Sequence, residues 1–278
     1  MKEVISASRR TDIPAFYLER LIRFVKQGYA EVVNPYSGKV SQVSLLPETV
    51  HTLVLWSKDF GKFLQESGSF KDYNLYFLFT VNDMPSLEPR VPLLHTRLEQ
   101  ARELALRFGP RRIGWRFDPV IFHSKGPLTP VETYSRIGEE MAKAGIRRSI
   151  FSFLDLYGKV RTRIDRLSLD IVDPPLAVKR EYATRLAIQA SELGMSLESC
   201  SEIFGEIEGI TSSSCIDGRL LSSLAGEPAP LSKDEGQRPS CLCTVSRDIG
   251  SYSLMPCPHG CLYCYANPRI TTEPEKAK

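Results

Sequence analysis

The chain has 278 residues, 42% hydrophobic and 25% charged, enough for the core of one large α/β domain. Its net charge of +3 is too small to imply a nucleic-acid surface without a localised patch, and Arg9-Arg10, Arg111-Arg112 and Arg147-Arg148 are only doublets. No apolar run approaches the roughly 20 residues of a membrane span, and Met1-Lys2-Glu3 opens no signal-peptide pattern, so a soluble protein of a reducing, cytoplasmic compartment is expected.

Short apolar runs recur along the chain, each followed by a helical pattern. The first holds Val4, Ile5 and Ala7; Asp12 then caps a helix carrying Leu18, Leu21, Ile22 and Val25, which ends at Gly28. Residues 30–34 are expected as the second strand, with residues 51–56 and 74–81, rich in β-branched and aromatic side chains, as the next two. A helix with Leu98, Ala101, Ala105 and Phe108 on one face stops at Gly109-Pro110. Residues 113–117 read as a strand, Tyr134, Ile137 and Met141 as a helix ending near Gly145, and residues 149–154 as another strand. The helix bearing Ala183, Leu186, Ala190 and Leu193 ends at Gly194, and residues 195–199 close the series.

Strict alternation of strand and helix argues for a parallel sheet, and about seven units argue for a TIM-like (β/α) barrel over residues 1–225, closed or nearly so. A doubly wound open sheet is the alternative. In either architecture ligands gather at the carboxyl ends of the strands. Those ends are polar here: Ser8-Arg9-Arg10, Asn34, Lys58-Asp59, Asn82-Asp83, Arg116 with Asp118, Asp155, and Glu198 with Glu202. Each alone has a plainer reading. Asp12 can be a helix cap, Lys58-Asp59 a solvated turn, and Arg116 with Asp118 a structural ion pair. Together they read as the rim of an active site.

The composition changes at about Gly226, and residues 226–239 read as a linker into a cysteine-rich segment reaching residue 278. The tail around Glu273-Pro274-Glu275-Lys276 is expected to be mobile. Between them come Cys241-Leu242-Cys243, Asp248-Ile249-Gly250 and the run Cys257-Pro258-His259-Gly260-Cys261-Leu262-Tyr263-Cys264. A three-residue gap, a two-residue gap and an aromatic before the third cysteine resemble the ligand loop of radical SAM enzymes. Such a loop holds three irons of a 4Fe-4S cluster by thiolates, which suit iron–sulfur chemistry, and leaves the fourth iron to S-adenosylmethionine. Zinc is the rival, with His259 inside the loop; inert buried thiols are another reading, and a disulfide framework does not suit a chain this long. Cys200, Cys215, Cys241 and Cys243 suffice for a second iron–sulfur cluster or a zinc site, although buried packing alone could account for Cys200 and Cys215.

Residues 5–14 (ISASRRTDIP), Asn34-Pro35-Tyr36, residues 55–59 (LWSKD), residues 115–119 (WRFDP) and the segment from Gln237 to Asn267 resemble the bacterial family grouped as domain of unknown function 1848. That resemblance covers nearly the whole chain and implies a fold and a metal rather than a substrate. More distantly, Tyr263-Cys264-Tyr265, Ser57-Lys58 and Arg116-Phe117-Asp118-Pro119 are similar to elements of radical SAM proteins of the spore photoproduct lyase type. The order departs from that pattern, because radical SAM enzymes carry the cysteine loop after their first strand. A circular permutation reconciles the two if the terminal segment fills the first-strand slot. No Gly-Gly-Glu-like stretch is present to grip the SAM amino group.

The similarity implies reductive cleavage of SAM to a 5′-deoxyadenosyl radical that acts on an unidentified substrate, with flavodoxin or ferredoxin as electron donor. Lys58, Arg116 and Asp118 are the expected catalytic side chains; Arg9, Arg10, Asn82 and Tyr263 are expected to hold cofactor. Two other expectations stand beside this one. One is a non-catalytic zinc or iron–sulfur protein, and the other a nucleic-acid-acting protein suggested by the lyase similarity alone.

Overall fold

The computed structural model describes residues 2–34, 37–201, 204–266, 268 and 270. The first half of the chain runs β1 (Glu3–Ala7), α1 (Ile13–Phe16), α2 (Leu18–Gln27), β2 (Tyr29–Val33), β3 (Val40–Ser44), β4 (Val50–Ser57), α3 (Gly61–Glu66), β5 (Leu75–Thr80), α4 (Leu94–Phe108) and β6 (Ile113–Val120). The second half runs β7 (Phe122–His123), β8 (Gly126–Pro127), α5 (Val131–Lys143), β9 (Arg148–Phe153), α6 (Gly158–Arg166), α7 (Leu176–Glu192), β10 (Ser196–Ser199), β11 (Ile210–Ser212), α8 (Gly218–Ala225) and β12 (Arg247–Asp248). Pro35, Tyr36, Glu202, Asn267 and the Glu273-to-Lys276 tail lie outside the described residues.

Eight strands form one sheet in the order β11-β10-β9-β6-β5-β4-β1-β12, every pairing parallel. The expected α/β class and parallel sheet are therefore present. Successive strands of the sheet lie side by side, except that β12 returns to flank β1. Among the described residues the sheet does not close into a barrel. Its edge strands are short, three residues in β11 and two in β12. Backbone groups beside them bond instead through the loops: Thr244 N donates to Ile216 O at 2.9 Å. The sheet ends therefore approach without a ladder between them.

Residues 30–34 do not enter this sheet. Tyr29–Val33 pairs antiparallel with Val40–Ser44 in a separate hairpin. The reason lies in its pattern: only Ala30 is buried, flanked by exposed Tyr29 and Glu31, whereas a strand between helices is apolar on both faces. The strands of the parallel sheet show that second pattern; β5, Leu75–Thr80, is buried at every position but the last.

One face of the sheet packs against the helices. Ile5, Leu53, Phe77, Trp115 and Phe151 meet Leu21, Phe63, Leu104, Tyr134 and Leu186 there, with Trp115 stacked on Tyr134 at 4.8 Å between centroids. The opposite face carries Val4, Val54, Tyr76, Leu78 and Ile150, covered by Leu221 of α8, Ile216 and the side chains of Cys200, Cys215, Cys241 and Cys243. A third apolar cluster, with Met84, Leu87, Ile121, Val160 and Ile164, packs on Cys261 and Tyr263 and seats the three-cysteine loop beyond the strand ends. Among the described residues no helix is long and apolar enough to cross a membrane.

Candidate metal centre and its cavity

The first wall of the site is the junction of β1 and β12. Asp248 accepts from Ser6 Oγ at 2.8 Å, Ser8 Oγ at 2.6 Å and Arg9 N at 2.8 Å. Gly250 follows so closely that a Cβ there would lie 2.0 Å from Ser8 Oγ. This clamp aims Arg9 and Arg10 off the end of β1. Arg10 donates to Gly250 O at 3.0 Å. Arg9 lies over one residue, Trp56 of β4, 5.2 Å from the ring centroid, and Arg116 of β6 lies over the same ring at 5.1 Å. Arg9 Nη2 and Trp56 Nε1 are buried with no hydrogen-bond partner. Unpaired buried donors are uncommon, and they mark a place where an acceptor is wanted.

The second wall hangs on Asp12. Its carboxylate accepts from Ala15 N at 3.0 Å, Ser57 Oγ at 2.7 Å and Lys58 N at 2.8 Å, and it bonds His259 Nε2 at 2.8 Å. The cap expected at Asp12 is present, and the same side chain also ties β4 to the cysteine loop. Lys58 Nζ then reaches Glu88 Oε1 at 2.6 Å and Tyr263 Oη at 3.1 Å. Burial opposes charge on Lys58, but Glu88 and the Cys261 sulfur outweigh it and raise its pKa. Glu88 is held below the usual carboxylate range because Lys58 and Tyr263 outweigh its own burial.

The three-cysteine loop is fastened along its backbone. Tyr17 Oη donates to Pro256 O at 2.7 Å, Arg90 Nε to Pro258 O, Leu262 N to Leu87 O at 2.9 Å and Arg163 Nη1 to Cys264 O at 2.6 Å. Gly260, at φ 68°, supplies the left-handed turn between His259 and Cys261. Cys257, Cys261 and Cys264 interact electrostatically with one another. Burial, then the Asp12 carboxylate, pushes the Cys257 thiol up to about 12. Burial also raises Cys261 and Cys264, with Lys58 pulling against it in both.

The other four thiols gather at the seam between β11 and β12. Cys200 and Cys215 sulfurs are 3.6 Å apart, and the Cys243 sulfur accepts from Ile216 N at 3.4 Å. Cys241 has its pKa lowered to about 7 by the neighbouring Cys243 thiol, against the effect of burial. Arg116 Nη1 lies 2.9 Å from Cys215 Sγ while its Nη2 pairs with Asp118; Arg9 is opposed by burial, but the Cys243 sulfur and Asp248 outweigh it and raise its pKa. Asp118 sits below its ordinary pKa because Arg116 and Ser152 outweigh its burial. Among the described residues no three His, Cys, Asp or Glu side chains are set as the ligands of a single ion.

A cavity of about 630 Å³ joins these walls, lined by Arg9, Arg10, Trp56, Lys58, Arg116, Asp118, Tyr263 and all seven cysteines. Of the side chains expected to catalyse, to hold cofactor or to ligate metal, Asn82 is the one that does not line it among the described residues. Asn82 is fully buried, donating to Asp118 O at 2.8 Å and accepting from Asp118 N at 3.1 Å. Glu198, expected on the rim, instead takes two hydrogen bonds from Arg148 at 2.8 and 2.7 Å on the sheet face. Asp59 receives Gln100 Nε2 at 2.7 Å, and Asp83 pairs with Arg136 at 2.5 Å. Asp155 lines the cavity mouth, paired with Arg238.

Glu88, Trp56 and Asp248 went unnoticed in the sequence. Trp56 and Asp248 fall beside motif residues, and a search for polar or aromatic groups flanking strand ends finds them. Glu88 lies in a loop without any pattern. No curated protein matches the chain. A family model does, over residues 4–266, which takes in both thiol groups, the strand-end charges and all of the sheet but Glu3. The chain belongs to the family described as Domain of unknown function (DUF1848).

Proposed function

We propose that this protein is an iron–sulfur enzyme of the radical SAM type, with a 4Fe-4S cluster held by Cys257, Cys261 and Cys264. One observation carries the reading: the three thiols share a single cavity with the cationic strand ends Arg9, Lys58 and Arg116. The donor set fits the group in kind, since three soft sulfurs four and three positions apart in sequence, on a backbone-fastened loop, are the ligand type such clusters take. When bound, the cluster supplies an electron for reductive cleavage of S-adenosylmethionine, with a flavodoxin- or ferredoxin-type protein as the source. Arg9 and Trp56 contribute unpartnered donors for carboxylate or phosphate oxygens of cofactor or substrate. Lys58, set by Glu88 and Tyr263, and Arg116, set by Asp118, fix positive charge on the lining of that space.

The strand order supports the view that the scaffold is a permuted, incomplete (β/α) barrel. β12 immediately precedes the cysteine loop and flanks β1, so the loop follows a strand in the first-strand slot. The test is anaerobic purification with iron and sulfide analysis, then incubation with SAM and dithionite. A brown protein that releases 5′-deoxyadenosine, and a Cys257→Ala variant that does not, are expected. A colourless zinc protein, or an iron protein that neither binds nor cleaves SAM, overturns the reading.

A further inference from the structure

We propose that Arg9 and Trp56 form an oxyanion seat on the cavity wall, holding a carboxylate or phosphate group of the substrate, an assignment that rests on the reading above in taking the cavity as the place of reaction. Arg9 Nη2 and Trp56 Nε1 are both buried without a hydrogen-bond partner. Both residues line the cavity, and the guanidinium lies 5.2 Å from the indole centroid. A buried donor left unpaired is destabilising, and two side by side on a cavity wall are set for oxygen atoms from outside the chain. Water can serve them in the free protein, and the charge around them selects an anion.

Asp248 does not bond the Arg9 guanidinium. Its oxygens accept from Ser6 Oγ, Ser8 Oγ, Arg9 N and Gly250 N, and among the described residues its ion pair is with Arg10, at 4.0 Å. The Arg9 guanidinium is held instead through Nη1, which donates to Ser246 Oγ at 3.1 Å. Its fork suits the paired oxygens of a carboxylate or phosphate, and the indole N–H adds a second donor. Arg116, 5.1 Å from the same ring, steadies the indole from its own strand. At about 630 Å³ the cavity is far larger than either group, so the oxyanion is one end of a longer molecule. Substrate rather than SAM is assigned to the seat because a different cation, Lys58, stands at the three-cysteine loop, 3.1 Å from Tyr263 Oη. Arg116 stands instead 2.9 Å from the Cys215 sulfur, and Arg9 beside Ser246.

The test is calorimetric titration of the whole chain, purified anaerobically, with sodium acetate and separately with sodium phosphate at constant ionic strength. Saturable binding of at least one probe is expected. Arg9→Gln, which removes the guanidinium, and Trp56→Phe, which removes the indole N–H, should each weaken it about tenfold or more. Circular dichroism and the thermal midpoint without probe show whether each variant keeps the fold; if Arg9→Gln does not, Trp56→Phe decides. Acetate binding alone identifies a carboxylate, phosphate binding alone a phosphate ester, and either one or both supports the seat. No saturable binding to the parent, or parental affinity in the folded variants, overturns it. Each titration is repeated with SAM in excess: a probe that SAM displaces puts cofactor in the seat and overturns the assignment to substrate. A protein that binds no SAM, yet loses probe affinity in both variants, removes the radical SAM reading and leaves the seat standing.

Discussion

Lys58 Nζ and Glu88 Oε1 stand 2.6 Å apart where Glu88 is almost sealed from water. Neither charge is tolerable there without the other. Glu88→Ala is expected to destabilise the fold by about 3–5 kcal/mol, as an unpaired buried charge does, measured by chemical denaturation. The pair also sets a pH dependence. Glu88 is held below its ordinary value of 4.5, so its contribution is fully present above that pH and lost as pH falls through the folded value. The thermal midpoint of the parent should therefore drop on acidification below about pH 4.5, the range where unfolded carboxylates take up protons. Glu88→Gln should show a shallower drop, and an identical slope refutes the linkage.

Arg116→Ala should weaken SAM or substrate binding about tenfold or more, because hydrogen bonds to charged groups contribute about 1.5–3 kcal/mol. Iron at the three-cysteine loop should stay unchanged, since Arg116 reaches Cys215 and Asp118 rather than that loop. Calorimetric titration and an iron assay give the two readouts. Loss of all iron together with the fold marks the Arg116–Asp118 pair as structural.

The sheet was legible because its strands are long apolar runs punctuated by Gly and Pro. β12 was not, because two residues paired to β1 leave no periodicity to read. The hairpin strand at 29–33 misled for the converse reason: its β-formers are real, but their half-exposed alternation belongs to a separate sheet. Strand-end charges Arg9, Lys58 and Arg116 could be read from position alone. Asn82 and Glu198 follow the same positional logic yet turn to Asp118 and Arg148, because a strand fixes where a side chain starts and its partners fix where it ends.

Asp12→Ala removes an acceptor for Ala15, Ser57, Lys58 and His259 at once. Unsatisfied buried donors cost about 1–3 kcal/mol each, and water can re-enter for some of them. A net loss of about 3 kcal/mol or more is expected, together with faster iron loss to a chelator, because His259 no longer anchors the cysteine loop. Unchanged chelation kinetics would falsify the anchoring role.

Gly250→Ala places a methyl carbon against Ser8 Oγ. The clamp of Ser6, Ser8 and Arg9 on Asp248 must then open. Destabilisation of about 1–3 kcal/mol, typical of overpacking, is expected, and Gly250→Ala/Ser8→Gly should recover part of it. A double variant no more stable than the single one shows that the strain lies elsewhere.

Ser6 and Asp248 are 242 positions apart, yet they meet at the side of β1. At roughly 5–20 residues per second of synthesis, the opening strand waits about 10–50 s for its neighbour. During that interval its unpaired edge is exposed in the nascent chain, where such edges invite aggregation. Only after the late segment has emerged do the cysteines on both sides of Asp248 reach their seats. If a metal occupies the thiols that follow Asp248, it enters only after that segment has emerged, and expression with limited iron or chaperone supply should fail by aggregation of chains still open at β1.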